Sequence, residues 1–281
     1  MQETPRHAGP RRAPRPELPP PGQLAPLTPP PGFLGAARAY GIEFEAGEVE
    51  ALGLYLALLY KGNETMNLTA VREPEQAWTR HVLDALTLVP LLAELPEGSR
   101  VIDVGSGGGI PGVPLAIVLP SLEFTLLEAT GKKADFLSQA VAALGLRNAR
   151  VINDRSERLA HDRGEKSSGA SGRSERIGGH REAYDAAVIR AVGRLAVAAE
   201  LTVPFVKPGG RVLMIKGERA DEELAEAAGA LALLKAVHEG TAQTPTGRIV
   251  VLGKRAATPK VYPRADGEPS RVPLGVARGR K

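Results

Sequence analysis

One stretch narrows the fold of this chain more than any other: Val101-Ile102-Asp103-Val104 runs directly into Gly105-Ser106-Gly107-Gly108-Gly109-Ile110-Pro111-Gly112. A β-branched run ending in an acid, then glycines, then an apolar segment reads as strand, sharp turn and helix. Without a Cβ, glycine lets the backbone turn tightly and approach a ligand closely. In open α/β sheets such a turn lies at the carboxyl end of a strand, where ligands bind. The chain keeps this rhythm beyond Arg100. The spacing predicts strands over 100–104, 123–127, 150–153, 186–189, 211–216 and 248–252, and helices over 113–118, 132–144, 195–203 and 221–236. Strands alternating with helices predict an α/β fold with a parallel, doubly wound, Rossmann-like sheet.

The remaining segments divide by composition. Residues 1–34 form a first unit, and 11 of the chain's 24 prolines fall within 1–32. Such a segment cannot bury enough apolar surface to offset its ordering entropy, so a disordered extension is expected. Over 35–97 the pattern turns helical, with Val49, Leu52, Leu56 and Leu59, then Val82, Leu86 and Val89, at three- and four-residue steps. That predicts an N-terminal helical cap. The main domain spans 98–254, interrupted at 162–182 by a Gly-, Ser- and charge-rich stretch expected to be a flexible surface insertion. Residues 254–281 carry eight basic side chains against Asp266 and Glu268, so the rest of a chain of net charge +4 is slightly acidic. A basic tail of this kind suits a polyanionic partner.

Composition excludes several classes. With no cysteine, disulfides and thiolate metal sites are ruled out, which suits a reducing cytoplasm. Five scattered histidines lack metal-ligand spacing, so no metal is expected. No apolar run is long enough to span a membrane, and the arginines near the N-terminus precede no signal-peptide apolar region, so no membrane partner is expected. A single-chain, monomeric protein is the simplest expectation.

Three ligand classes compete for the glycine turn. A P-loop would close with Gly-Lys-Ser/Thr, but Gly112-Val113-Pro114 supplies neither lysine nor hydroxyl. Gly107, Gly109 and Gly112 formally fit a dinucleotide fingerprint, yet Pro111 then stands where backbone N–H groups should face a pyrophosphate. The third reading, Asp-x-Gly-x-Gly-x-Gly, resembles the cofactor loop of class I methyltransferases. S-adenosylmethionine has no phosphate, and Asp103 suits its ammonium. Glu128 ends the next strand, either as an N-cap acid for the 132–144 helix or as a carboxylate that can accept both hydroxyls of a ribose. Asp154-Arg155-Ser156-Glu157 follows the third strand, either as a plain turn or as groups that read an adenine edge. The fourth strand delivers Arg190 to the same edge. There it could pair with Asp103 or Glu157, or touch a substrate phosphate.

Taken in order, these pieces resemble the bacterial small-subunit ribosomal RNA guanine-N7 methyltransferases, the glucose-inhibited division protein B family. The matching residues include Met66-Asn67-Leu68-Thr69-Ala70-Val71, Arg80-His81-Val82-Leu83-Asp84, the run from Asp103 to Leu115, Gly131-Lys132-Lys133, Arg155-Ser156-Glu157, Arg190-Ala191, Lys216-Gly217 and the tail through Ser270. The resemblance implies S-adenosylmethionine as cofactor and 16S ribosomal RNA of the small subunit as partner. It places the cofactor on Gly105, Ile110, Ser156, Glu157 and Arg190, which joins Asp103, Gly107, Gly109 and Glu128 from the reading above; Arg190 is the catalytic candidate. The proline-rich start and the 162–182 insertion are additions to the family pattern, and Val261 and Ala265 leave the tail less basic than in many members. Guanine N7 is already a free lone pair, so no general base is expected and catalysis rests on positioning. Arg80, His81, Lys132, Lys133, Lys260 and Arg264 are the candidates for phosphate contact. A methyltransferase of small molecules or proteins, and a non-catalytic nucleotide- or RNA-binding module, are the rival readings of the same fold.

Overall fold

Alternation along each strand decides which side chains face which layer. The computed structural model describes residues 17–19, 22–168, 174–190 and 192–275. Its strands are β1 (Arg100–Val104), β2 (Glu123–Leu127), β3 (Ala149–Ile152), β4 (Glu165–Ser168), β5 (Ser174–Ile177), β6 (Tyr184–Arg190), β7 (Val206–Lys216), β8 (Ala236–Thr244) and β9 (Gly247–Lys254). Seven of them form one sheet in the order β3-β2-β1-β6-β7-β9-β8. Ile102, Ala187, Ile189, Val212, Met214, Val250 and Leu252 pack on one face, against the helices Leu195–Thr202 and Ala228–Leu234. Their neighbours Val101, Ala186, Val188, Leu213, Ile215, Ile249 and Val251 pack on the other, with Leu115 and Leu119 at the helix Gly112–Val118. This is the period-two division of a sheet covered on both sides.

The doubly wound Rossmann-like sheet is present, and it is mixed rather than parallel throughout. The five strands from β3 to β7 are parallel, but β9 pairs antiparallel with β7, and β8 antiparallel with β9. The predicted helix over 221–236 is two helices, Ala220–Glu226 and Ala228–Leu234, and Ala236 already belongs to β8. β8 is an edge strand, exposed along most of its length, so it lacks the apolar alternation that would have announced it.

Two expectations of disorder also change. From Leu24 onward the proline-rich segment lies on the cap: Leu24 and Leu27 pack into the cap cluster, and the Leu27 N–H donates to the Gly53 carbonyl at 3.1 Å. A Cβ on Gly53 would collide with the Leu27 carbonyl oxygen, so glycine there permits the docking. An extended chain cannot make its own core, but its leucines can add to one already formed. Residues 1–16 and 20–21 of that extension lie outside the described residues. In the insertion, β4 and β5 form an antiparallel hairpin, with 169–173 outside the described residues. At its end, Arg181 is buried and donates to the carbonyls of Ala160, Thr258, Pro259 and Tyr262, so this part of 162–182 anchors rather than floats.

The cap is built from the helices Phe33–Ala39 and Glu48–Asn63 and a segment from Pro74 to Leu86 whose middle, Trp78–Leu83, is π-helical. Trp78, Leu52, Leu56 and Leu59 share a cluster with Val113, Phe136 and Leu137 of the main domain, so the cap and the sheet layer have a common core. No helix among the described residues is long and apolar enough to cross a membrane.

Candidate active site at the carboxyl edge of the sheet

The glycine turn emerges from β1 beside the carboxyl ends of β2 and β6, and its glycines serve two purposes. Gly105 and Gly107 have φ of 74° and 57°, and a Cβ on Gly107 would meet nothing closer than the Gly105 carbonyl oxygen at 3.8 Å. That side of the loop is open to a ligand. The other glycines face protein. A Cβ on Gly108 would lie 2.7 Å from Leu59 of the cap, and one on Gly109 2.7 Å from Val113. One on Gly112 would collide with Leu126 and lie 2.7 Å from Asp103 Oδ2. The Tyr55 hydroxyl donates to the Gly108 carbonyl at 2.9 Å, fastening the cap to the loop. Ile110, half-buried, precedes Pro111 through a cis peptide bond.

Strand alternation turns Asp103 beneath the loop rather than across its open face. Asp103 is 1% exposed, and its Oδ2 accepts the Gly112 N–H at 3.0 Å. Its Oδ1 is buried without a hydrogen-bond partner. Burial pushes this carboxyl up to about 7. An orphaned acid atom under an open glycine cradle fits a cationic ligand group better than an anionic one. Glu128 is also buried: Oε2 accepts the Gly107 N–H at 2.9 Å and Oε1 the Thr130 N–H at 2.8 Å. It therefore ties β2 to the loop, and each oxygen keeps a second lone pair for a hydroxyl.

The other expected residues are placed less directly. The Ser156 hydroxyl donates to the Leu201 carbonyl at 2.6 Å. Glu157 Oε1 accepts from Arg155 Nη2 at 3.0 Å and from the Gly267 N–H at 2.8 Å. Both side chains are committed within the protein, and Glu157 fastens the tail.

Arg190 pairs with neither Asp103 nor Glu157. Its guanidinium turns to the cap, where Nη2 donates to the Arg80 carbonyl at 2.6 Å and Nε faces the fully buried Asp84 carboxylate at 3.4 Å. Nη1 lies 3.3 Å from His81 Nδ1. A guanidinium can only donate, so Nδ1 accepts and the His81 proton sits on Nε2, donating to Thr69 Oγ1 at 2.6 Å. Burial, reinforced by the Arg190 charge, lowers His81 to about 4, which keeps the ring neutral at physiological pH. His81 is thus no phosphate contact; it and Asp84 position Arg190. Ala191 lies outside the described residues.

Among the other phosphate candidates, Arg80, Lys132 and Lys260 are exposed and Lys133 is half-buried. Arg264 is not free. It grips the fully buried Glu200 through Nε at 2.9 Å and Nη2 at 2.7 Å, and its N–H donates to the same carboxylate at 2.8 Å. Sequence reasoning missed Tyr55, Asp84 as the partner of Arg190, and Glu200. The signal for Tyr55 was present: it shares a helix face with Leu52 and Leu59, yet carries a hydroxyl that a buried site must satisfy.

A model of the rRNA small subunit methyltransferase G family (GidB) matches residues 48–249, which take in most of the cap, the loop and Arg190. The chain belongs to this family. A protein of Sorangium cellulosum named ribosomal RNA small subunit methyltransferase G is 49% identical over 238 residues, covering 85% of this chain and 93% of its own. Proteins of the same name from Rubrobacter xylanophilus and Lactococcus lactis are 39% and 33% identical, covering 84% and 86% of this chain and 87% and 98% of their own. S-adenosylmethionine is the methyl donor of this methyltransferase family, in keeping with the open glycine cradle and the orphaned Asp103 oxygen.

Proposed function

We propose that this methyltransferase transfers a methyl group to N7 of a guanine in 16S ribosomal RNA of the small subunit, acting as a single chain in the cytoplasm. The observation that carries the reading is the open glycine cradle backed by buried Asp103 and Glu128, in a chain that belongs to the rRNA small subunit methyltransferase G family. Gly105, Gly107, Gly109, Ile110, Asp103 and Glu128 would hold the cofactor, which supplies an electrophilic sulfonium methyl when bound. Asp103 offers its free oxygen to the ammonium, and Glu128 its remaining lone pairs to the ribose.

The chain's own part in the chemistry is positioning. Guanine N7 carries a lone pair in the plane of the base, so no proton need be removed before transfer. His81, the one histidine beside Arg190 among the described residues, has both ring nitrogens engaged and could not serve as a base. Arg190 is held on three sides by the cap, so its guanidinium is oriented before substrate arrives. A looped-out base then enters a site whose shape is already set.

The test is methyl transfer from labelled S-adenosylmethionine to unmodified small subunits, with the product guanine mapped in ribosomal RNA from cells with and without the protein. Label at guanine N7 that is absent from cells lacking the protein is expected. No transfer to 16S RNA overturns the reading.

A further inference from the structure

A cleft of about 770 Å³ opens beside Arg190, and no part of the cofactor cradle lines it. Its lining is Glu75, Gln76, Thr79 and Arg80 of the cap, Arg190, and the turn at 245–246 between β8 and β9. The register explains why these meet. β7 runs parallel to β6, and Lys216 at its carboxyl end faces Arg248 of β9, so the 245–246 turn lies at the same sheet edge as Arg190. On the cap, Ala77, Trp78, His81 and Val82 are buried, while Glu75, Gln76, Thr79 and Arg80 repeat at four-residue spacing on the opposite, exposed face. Helical segments with a π turn recur at functional sites, and the π turn here supplies the carbonyl that holds Arg190.

The chemistry of this lining is unusual for a surface meeting RNA. Arg80 suits a phosphate, but a carboxylate at Glu75 would repel one. Among the described residues no side chain forms an ion pair or hydrogen bond with the Glu75 carboxylate, so its oxygens are free to accept from a ligand in the cleft that Arg80 and Arg190 also line. The reaction gives it a task. Adenine and guanine share an N7 lone pair and differ on that edge only at position 6, so a reading of the Watson–Crick edge adds to the discrimination. There guanine alone among the bases presents two adjacent N–H donors, N1–H and the N2 amino group, which a carboxylate accepts as a pair.

We propose that this cleft receives the looped-out purine and that Glu75 selects guanine by accepting N1–H and N2–H, with Gln76 and Thr79 near O6. This rests on the functional reading above, and it names the residue that sets base specificity. Glu75 lies on an exposed face, and its replacement by the isosteric amide leaves folding and cofactor binding unchanged. The amide presents an N–H₂ where the base also donates, so the pair is lost.

The experiment compares the wild type with Glu75→Gln in two assays. The first is methyl transfer to unmodified small subunits under kcat/KM conditions. The second is direct binding of guanosine 5′-monophosphate and inosine 5′-monophosphate, which differ by the N2 amino group, to each protein in the presence of S-adenosylmethionine. The expected result is a loss of about 10- to 100-fold in kcat/KM for Glu75→Gln, with cofactor affinity and Tm unchanged. The wild-type preference for the guanine nucleotide over the inosine one should vanish in the variant. Wild-type kcat/KM in Glu75→Gln, or an undiminished guanine preference, overturns the proposal. Tighter RNA binding by the variant with unchanged discrimination assigns the cleft to the phosphate backbone and overturns it equally, as does a fall in cofactor affinity or in Tm. Should the wild type transfer no methyl to RNA, the functional reading fails, and the nucleotide preference still decides what the cleft recognises.

Discussion

The glycine loop and the C-terminal tail were both conspicuous in the sequence, and the fold uses them in different ways. The loop's features are backbone features. Positive φ at Gly105 and Gly107, and contact too close for a Cβ at Gly108 and Gly112, demand glycine at those positions whatever surrounds them. The tail's feature was charge, and charge says nothing about its partner. Arg264 is spent on buried Glu200, Lys254 is buried against Glu182 at 2.8 Å, and Arg158 pairs with Asp266 of the tail itself. Among the described tail residues, Arg255, Lys260 and Arg271 stay exposed, and Arg278, Arg280 and Lys281 lie outside the described residues. Part of this cationic stretch, over 254–268, is a clasp that closes the end of the chain onto the segment 155–200. The Gly267 N–H bond to Glu157 carries that clasp to the polar stretch that follows β3.

The contrast can be broken most forcibly at Arg264. Replacing it by alanine leaves Glu200 buried and unpaired, so thermal or denaturant unfolding should report a loss of about 3–5 kcal/mol. The salt dependence of RNA binding, measured where the variant is still folded, should not change. A stable variant with a flattened salt slope would return Arg264 to the RNA surface.

Asp103 offers the next largest effect. Its folded carboxyl titrates at about 7, above its unfolded value, so the stability contributed by the neutral acid is full below about pH 4 and is lost as pH rises through 7. Asp103→Asn cannot ionise, so wild-type stability should fall relative to this variant by at most about 4 kcal/mol between pH 4 and 8. Over the same window the wild type should bind S-adenosylmethionine more tightly as pH rises, because a cofactor ammonium favours the ionised acid. A pH-independent cofactor Kd would reduce Asp103 to a brace for Gly112.

A smaller effect separates the two groups of glycines. Gly107→Ala places a methyl in the open cradle at positive φ, and about a 10-fold weaker cofactor Kd with only about 1 kcal/mol lost in stability is expected. Gly112→Ala, which meets Leu126 and Asp103, should instead cost about 1–3 kcal/mol of stability through overpacking. Equal effects of the two on stability and binding would erase the distinction. Smallest of all, Lys260→Ala should leave stability within about 0.5 kcal/mol while lowering the slope of log affinity against log salt by about 1.

Much of the architecture was legible because the core strands are short apolar runs and the turns between them carry glycine. β1 and β2 fall where their composition put them. β8 was not legible, since an exposed edge strand of His238, Glu239, Thr241 and Gln243 has no buried face to impose a pattern. In the site, the loop and Glu128 could be located from spacing alone. The partners of Arg190 could not, because His81 and Asp84 lie more than a hundred residues away, on a cap that folds back over the sheet edge.

By itself the sequence determined the α/β rhythm, the place of the glycine turn and the identity of the family, because each depends on local backbone needs or on residues in fixed order. Tertiary structure alone decided which charges are satisfied internally, that Asp103 points beneath the loop, that His81 serves as a neutral acceptor, and that a free carboxylate at Glu75 lines the cleft beside Arg190. Hydrogen bonds and ion pairs form between groups that the fold brings within about 3 Å, and nothing in a linear chain records that proximity.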